Sequence, residues 1–144
     1  MSSVTWNDSL KIGIPHIDLQ HQQLINQMDK LAGVLDDKNK TKEAKQKEIK
    51  QVVKFLNGYV NIHFNYEEGC MNLYECPVAC ENKKSHERFL SNFEEVKRML
   101  DAGDLGPILM EKLDRDLIQW FVNHIRQIDT QLQTAMERRG VKRK

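Results

Sequence analysis

Four histidines and two carboxylates carry the chemistry that this sequence could perform. Each lies in one of four stretches whose apolar residues have helical spacing. Imidazole and carboxylate groups suit redox-active iron, whereas structural zinc usually prefers thiolate-rich ligand sets. Four helices that each direct such groups inward build the di-iron sites of helical bundles. The pattern therefore predicts a metal centre between four helices, and its candidate ligands are His21, His63, Glu67, His86, His124 and Asp129.

The spacing within two of the stretches decides how their side chains could share a metal. His63 and Glu67 are four residues apart, so they project from one face of a helix. His124 and Asp129 are five residues apart, and an ideal helix separates such positions by roughly 140°. The second pair should therefore not chelate one metal from the same face without side-chain adjustment. A carboxylate that bridges two metals relaxes that demand.

The apolar periodicity predicts four helices. Pro15 suits the first turn of the first helix, Thr41 is the expected N-cap of the second, and the fourth is expected to begin near Pro107. The second helix should end before Pro77, because the residue that precedes a proline avoids the helical region. The third helix is expected at about residues 78–102. These elements predict an all-α fold in which four helices form a bundle.

The two ends of the chain are expected to lie outside the bundle. Residues 1–15 lack a helical period, and we expect an extended N-terminal arm that packs on the bundle with Trp6 as its anchor. Residues from about 138 to 144 are expected to form a basic, frayed tail. His16, at the start of the first helix, is expected on the surface or as a capping residue.

Length and charge exclude several classes of protein. The 144 residues predict a single domain, 1–144. A net charge of +1, from 22 basic and 21 acidic residues, gives no field toward nucleic acid or an anionic membrane. No apolar run approaches the ~20 residues of a membrane span, and the first residues lack the features of a signal peptide. We therefore expect a cytoplasmic protein without nucleic-acid or membrane partners.

Three cysteines, Cys70, Cys76 and Cys80, lie close together in the sequence. An odd number argues against a secreted disulfide framework and for reduced thiols. Burial as small apolar side chains is the favoured interpretation. Two alternatives remain open, which are a thiolate at the metal centre and a bond between Cys76 and Cys80 under oxidation.

The motifs resemble those of the hemerythrin family, in its single-domain bacterial form, over nearly the whole chain. The resemblance implies an all-α fold, an antiparallel up-down four-helix bundle, that holds two non-haem irons. It implies that His21 and His63 hold the iron with an open position for dioxygen, and that Glu67 and Asp129 bridge to the second iron. Two ligands of that second iron match His86 and His124. The resemblance is carried by Trp6, Gly13-Ile14, Ile17 to Leu24, His63 to Glu68, Met71, Pro77, His86 to Phe89 and Trp120 to Ile125.

One position departs from the family pattern. The family has a histidine four residues before the position of His86, and this chain has Asn82 there. A neutral amide is a poorer iron ligand than imidazole. Asn82 is therefore expected to be a weak or vacant ligand position.

Two functions from different classes follow from the resemblance. The first is a protein that binds dioxygen reversibly for storage, delivery or sensing, with a monomer expected and an oligomer left open. The alternative is a di-iron oxidoreductase acting on peroxide, nitric oxide or ferrous iron, because Asn82 would leave one more exchangeable position. A bundle that has lost its metal is disfavoured, since six of the seven expected ligands remain. The expected oxygen pocket is lined by Leu24, Phe89, Trp120, Phe121 and Ile125.

Overall fold

The structure is a computed structural model that describes residues 6–140, and this part of the chain contains four long helices. The first, α1, spans Pro15–Asp36, α2 spans Lys42–Leu73 and α3 spans Ala79–Asp101. The fourth helix is continuous over residues 107–138. The predicted helix order and the predicted starts at Pro15 and Pro107 are confirmed.

Side-chain contacts show that neighbouring helices run antiparallel. His16 near the start of α1 packs on Tyr66 near the end of α2, while Lys45 near the start of α2 donates to the Leu35 carbonyl near the end of α1. Contacts between α2 and α3, and between α3 and the fourth helix, follow the same reversed order. The predicted all-α, antiparallel four-helix bundle is confirmed.

Local signals account for the ends of α2. The hydroxyl of Thr41 accepts a hydrogen bond from the Ala44 amide at 3.1 Å, as expected for an N-cap. Helix α2 ends at Leu73, and Pro77 lies in the turn before α3. Since α2 is continuous from the first loop to this turn, it carries His63 at the middle of the bundle.

The fourth helix differs from the regular α-helix that its periodicity predicts. Its α-helical parts are Pro107–Lys112, Trp120–His124 and Thr130–Arg138. They are separated by two π-helical segments, Leu113–Gln119 and Ile125–Asp129. In an α-helix the hydrogen bonds join residues four apart, whereas in a π-helix they join residues five apart. Short π-helical segments are frequent at functional sites. The second of these segments lies directly after His124.

The N-terminal arm is less extended than the sequence predicts. It contains a short 3-10 helix, Asp8–Leu10, whose Asn7 cap accepts from the Ser9 amide. Leu10 and Ile12 are buried in the core, and Trp6 packs against it while partly exposed. The carboxylate of Asp18 on α1 accepts hydrogen bonds from the Ile12 and Gly13 amides, at 2.7 and 3.2 Å, and so fixes the arm.

The outermost residues of the predicted arm and tail, 1–5 and 141–144, lie outside the described residues. Before the tail, helical structure continues to Arg138, and Arg139 forms an ion pair with Glu75 at 2.6 Å. None of the helices within residues 6–140 is long and apolar enough to cross a membrane.

Candidate metal centre

The six predicted ligands meet in the middle of the bundle, one or two from each helix, and all are buried. Their ligand atoms form two groups, each with all atoms within 4.8 Å of one another. The first group contains His21, His63, Glu67 and Asp129, and the second contains Glu67, His86 and His124. Each group could hold a metal ion.

Glu67 belongs to both groups because its two oxygens point in different directions. Its Oε2 lies 3.5 Å from Nε2 of His21 and 3.6 Å from Nε2 of His63. Its Oε1 lies 3.1 Å from Nε2 of His86 and 3.7 Å from Nε2 of His124. One carboxylate therefore faces two clusters of imidazole nitrogens.

Asp129 spans the two groups in the same way. Its Oδ2 lies 3.0 Å from Nε2 of His21, and its Oδ1 lies 3.1 Å from Nε2 of His124. The sequence predicts that His124 and Asp129 project from different faces of a regular helix. This prediction is wrong, because the intervening turn Ile125–Asp129 is π-helical. A π turn brings residues five apart onto one face. In this helix, a spacing of five residues therefore allows both side chains to reach the centre.

Asn82 lies at the second group, as its register on α3 predicts. It is fully buried, and its Oδ1 accepts a hydrogen bond from Nε2 of His124 at 2.9 Å. The side chain therefore reaches the position from which a ligand would act.

Three histidines are oriented by polar side chains that the sequence analysis did not assign. The Nδ1 of His63 contacts Gln20 Oε1 at 2.7 Å, that of His86 contacts Glu68 Oε2 at 2.9 Å, and that of His124 contacts Ser85 Oγ at 3.0 Å. Each oxygen accepts from an Nδ1–H group, which leaves Nε2 directed at the centre. Partners of this kind fix the tautomer and the ring orientation of metal-binding histidines. Gln20 and Ser85 each directly precede a predicted ligand, which was the available signal.

Aromatic rings enclose both groups. Phe121 lies against the first, with its ring centroid 5.4 Å from His21 and 6.1 Å from His63. Phe64 stacks on His86 at 3.8 Å, and Trp120 stacks on His124 at 4.7 Å.

The predicted pocket residues therefore divide between the halves of the centre, since Phe121 flanks the first and Trp120 the second. Leu24, Phe89 and Ile125 are buried, whereas Trp120 is half-buried.

The carboxylates set the charge of the metal-free centre. Burial lowers the pKa of His21 and His124, but hydrogen bonds and charge interactions with Asp129 and Glu67 outweigh it and raise each pKa to about 9. Burial and the neighbouring His21 hold the pKa of His63 well below its usual value. Burial opposes ionisation of Glu67, yet its hydrogen bonds to the surrounding histidines keep its pKa well below the usual range.

Buried polar atoms without a hydrogen-bond partner indicate whether these side chains suit a metal ion. Within residues 6–140, two buried ligand atoms that point into the centre, Nε2 of His63 and Glu67 Oε2, have no hydrogen-bond partner, and Nε2 of His21 has only the carboxylates around it. An unpaired buried polar group costs ~1–3 kcal/mol, and proteins leave few of them without a reason. Nitrogen and oxygen atoms that converge without partners are what a divalent cation requires, so the donor set fits.

The remaining candidates lie away from the centre. Cys70 is half-buried, Cys76 is buried and Cys80 is exposed, all three are free thiols, and neither metal-capable group found within residues 6–140 contains a cysteine. His16 is exposed and contacts Gln20 and Tyr66, as expected for a surface residue.

Comparison with known proteins agrees with this geometry. A family model described as the hemerythrin HHE cation binding domain matches residues 12–136. The chain belongs to the hemerythrin family. The predicted resemblance is therefore confirmed.

Individual relatives are similar to this chain over most of its length. A protein named Bacteriohemerythrin from Pseudomonas paraeruginosa is 32% identical over 130 residues, which make up 90% of this chain and 78% of the relative. Another of that name, from Stenotrophomonas maltophilia, is 30% identical over 88% of this chain and 76% of its own length. A crystal structure of a leucine-to-phenylalanine mutant has a TM-score of 0.76 at 23% identity, covering 94% of this chain and 98% of that one. This last similarity supports the fold alone.

Proposed function

We propose that this chain is a single hemerythrin-like domain that holds two non-haem irons and binds dioxygen reversibly, for storage, delivery or sensing. One observation carries the proposal. Glu67 and Asp129 each direct one oxygen to a first group of histidines and the other oxygen to a second group. Two carboxylates shared in this way favour a pair of metals over a single ion.

Each iron would have its own histidine ligands. His21 and His63 would hold the first, and His86 and His124 the second, with Asn82 as its weak ligand. Glu67 and Asp129 would bridge them. Imidazole and carboxylate donors without thiolate suit iron. When bound, the iron pair supplies the electrons that reversible dioxygen binding requires.

The apolar wall of the first half supports oxygen binding there. Phe121 covers His21 and His63, and Leu24 and Ile125 are buried in the same core. A hydrophobic shell limits the access of water to a metal site. We therefore assign the oxygen pocket to this half, with Phe89 behind Phe121 and Trp120 against the second half.

The test is a visible spectrum of the iron-loaded protein in cycles of air and argon. Reversible binding predicts an absorption band that appears in air, disappears under argon and returns in air with little loss of amplitude. A single irreversible change, or no change, would contradict oxygen carriage. Iron analysis on the same sample separates a failure to bind oxygen from a failure to load iron.

Asn82 favours one second candidate, a di-iron oxidoreductase. An amide at a ligand position leaves the second iron with an exchangeable site, and open positions distinguish catalytic from structural metal sites. Peroxide, nitric oxide and ferrous iron are the substrates to test. Steady-state turnover that the substitution Asn82→His abolishes would favour the enzyme, whereas oxygen binding without turnover of any of the three would favour the carrier.

A further inference from the structure

A row of largely exposed apolar side chains follows the outer side of α2 and contains none of the candidate metal ligands. Phe55, Ile62, Tyr66 and Leu73 are exposed, and Tyr59, stacked on Phe55 with ring centroids 5.3 Å apart, is half-buried. With Gly69 they follow alternate spacings of four and three residues, which is the heptad pattern of a helix that packs against another helix. We call this row the α2 stripe.

The α2 stripe continues onto α1. His16 packs on Tyr66 with ring centroids 4.6 Å apart, and Leu19, one turn further along α1, is 53% exposed. Contiguous exposed apolar surface of this kind marks an interaction site more often than scattered single residues do.

Two glycines on the same side of α2 have no role in the packing of this chain. Gly58 and Gly69 lie inside the helix and are exposed. Among the described residues, nothing lies within 4 Å of a Cβ built at either position. A glycine inside a helix is less favourable than alanine, and packing within the described residues explains neither glycine.

Charge is distributed unevenly along α2. Residues 42–54 contain five lysines and two glutamates, residues 55–66 contain no Asp, Glu, Lys or Arg, and the two charged residues in the last part of α2, Glu67 and Glu68, belong to the metal centre and to His86. Aromatic side chains and a low content of charge are typical of the core of a protein interface.

We propose that the α2 stripe binds a second copy of this chain, as an antiparallel pair of α2 helices related by a two-fold axis at Ile62. In this register Ile62 meets Ile62 of the second copy. Phe55 then lies level with Gly69 of the other chain, and Tyr66 with its Gly58, so each large ring faces a position without a side chain.

A two-fold contact of this kind is self-complementary, as the interfaces of symmetric dimers must be. The stripe spans residues 55–73, which is ~28 Å of helix at 1.5 Å per residue. One helix pair of this length buries less than the ~800 Å² per partner of a standard interface. We therefore expect a dimer with a dissociation constant of ~10 µM rather than a permanent one.

Sedimentation analysis of the iron-loaded chain over roughly 1–300 µM tests the proposal, since this range brackets the expected constant. A monomer–dimer equilibrium is expected. Ile62→Lys and Ile62→Glu should each weaken the dimer at least ~10-fold, because each places two like charges together on the two-fold axis. An equimolar mixture of the two variants should form a mixed dimer, because position 62 then carries opposite charges.

The matched control is Ile108→Lys. Ile108 is 71% exposed and Ile62 is 62% exposed, but Ile108 lies on the fourth helix outside the stripe. This control should leave the dimer unchanged. Equal weakening by both substitutions would show a general effect of charge and would overturn the proposal.

A second variant, Gly69→Gln, places a side chain where Phe55 of the other copy would lie. We expect ~5-fold weaker dimerisation with equal or higher thermal stability of the monomer, since glutamine is the better helix former. Iron content should stay unchanged in every variant. A wild-type chain that stays monomeric throughout the range, a mixture of position-62 variants that stays monomeric, or a stripe that binds neutral lipid vesicles instead would each contradict this pairing.

Discussion

The two halves of the metal centre differ in how far the protein satisfies them without a metal. In the first half, Nε2 of His63 and Glu67 Oε2 have no hydrogen-bond partner within residues 6–140, whereas Nε2 of His21 lies 3.0 Å from Asp129 Oδ2. In the second half, Nε2 of His86 contacts Glu67 Oε1 at 3.1 Å, and Nε2 of His124 contacts Asn82 Oδ1 at 2.9 Å. One histidine of the first half is thus unpaired at its inner nitrogen, whereas both histidines of the second half are paired.

This difference indicates which of the two irons should bind more tightly. A metal at the first half relieves buried groups that otherwise cost ~1–3 kcal/mol each. A metal at the first half displaces the contact of His21 with Asp129, whereas a metal at the second half displaces the contacts of both His86 and His124 and gains an amide there in place of an imidazole. We therefore expect the second iron to be the weaker and more labile of the two.

The largest effect is expected from Glu67→Ala, which removes the group that joins the halves. Iron content should fall from two per chain to less than one, because a shared carboxylate is lost and two cations would face each other in a poorly neutralised pocket. Thermal stability of the loaded protein should fall too, since metal binding contributes to folding stability. Iron analysis and thermal melts check this.

The matched control for Glu67→Ala is Glu68→Ala at the next position. Glu68 contacts only the outer nitrogen of His86, and loss of such a partner typically weakens a metal ~10–100-fold. This control should loosen the second iron and leave the first in place. Unchanged iron content in Glu67→Ala would show that the carboxylate does not bridge.

The next largest effect is expected from Asn82→His, which should reduce the difference between the halves. An imidazole on α3 one turn before His86 would add a strong ligand to the second group. Loss of a hydrogen-bond partner of a metal ligand already weakens metal binding ~10–100-fold. Gain of a ligand should have at least the smaller of these effects, so a chelator should remove iron from that group at least ~10-fold more slowly. Equal release from parent and variant would mean that Asn82 does not reach the metal.

Metal binding should also release protons. At pH 7 in the metal-free protein, His21 and His124 are protonated, because Asp129 and Glu67 raise each pKa to about 9 despite burial. A metal needs their Nε2 lone pairs, so its apparent affinity should rise as pH increases toward 9. Calorimetry in buffers of different ionisation enthalpy should find protons released at pH 7 and few at pH 10.

The same two groups should give the metal-free protein an opposite pH dependence. A folded-state pKa raised from 6.5 to about 9 contributes stability that is complete below pH 6.5 and lost as pH rises through 9. The melting temperature of the metal-free protein should therefore receive a falling contribution from these histidines between pH 6.5 and 9. A calorimetric count of no protons at pH 7 would contradict the assignment of charge at this centre.

The smallest effect on the metals is expected from Phe121→Ala. The ring lies against His21 and His63 but offers no ligand atom. Its removal should leave two irons bound and shorten the lifetime of the oxygen-bound form, because water gains access to the first half. Stopped-flow decay of the visible band measures this, and a lifetime equal to that of the parent would place the oxygen pocket elsewhere.

Local signals were sufficient to predict the bundle. Pro15 and Pro107 begin helices, and the Thr41 hydroxyl caps α2, as their residue types indicate. The candidate ligands also meet where the helical spacing predicts, and their role as ligands stays a prediction. These features depend on a residue and its neighbours within one or two turns, which a sequence displays directly.

The sequence could not predict features that depend on contacts between helices. The π turn before Asp129 has no signature in its residue types, and without it the spacing from His124 was misjudged. Gln20 and Ser85 look like ordinary polar helix residues until the fold places them behind His63 and His124. The polar groups that orient a site are thus harder to predict than the ligands themselves.

Anomalous diffraction at the iron edge, from crystals loaded with one and with two equivalents of ferrous iron under argon, tests the central claim most directly. With one equivalent, we predict a peak between His21 and His63. With two, a second peak should appear between His86 and His124, beside Asn82, with Glu67 and Asp129 bridging the pair. A first peak at His86 and His124, or a single peak with excess iron, would contradict a pair of metals held unequally by these two halves.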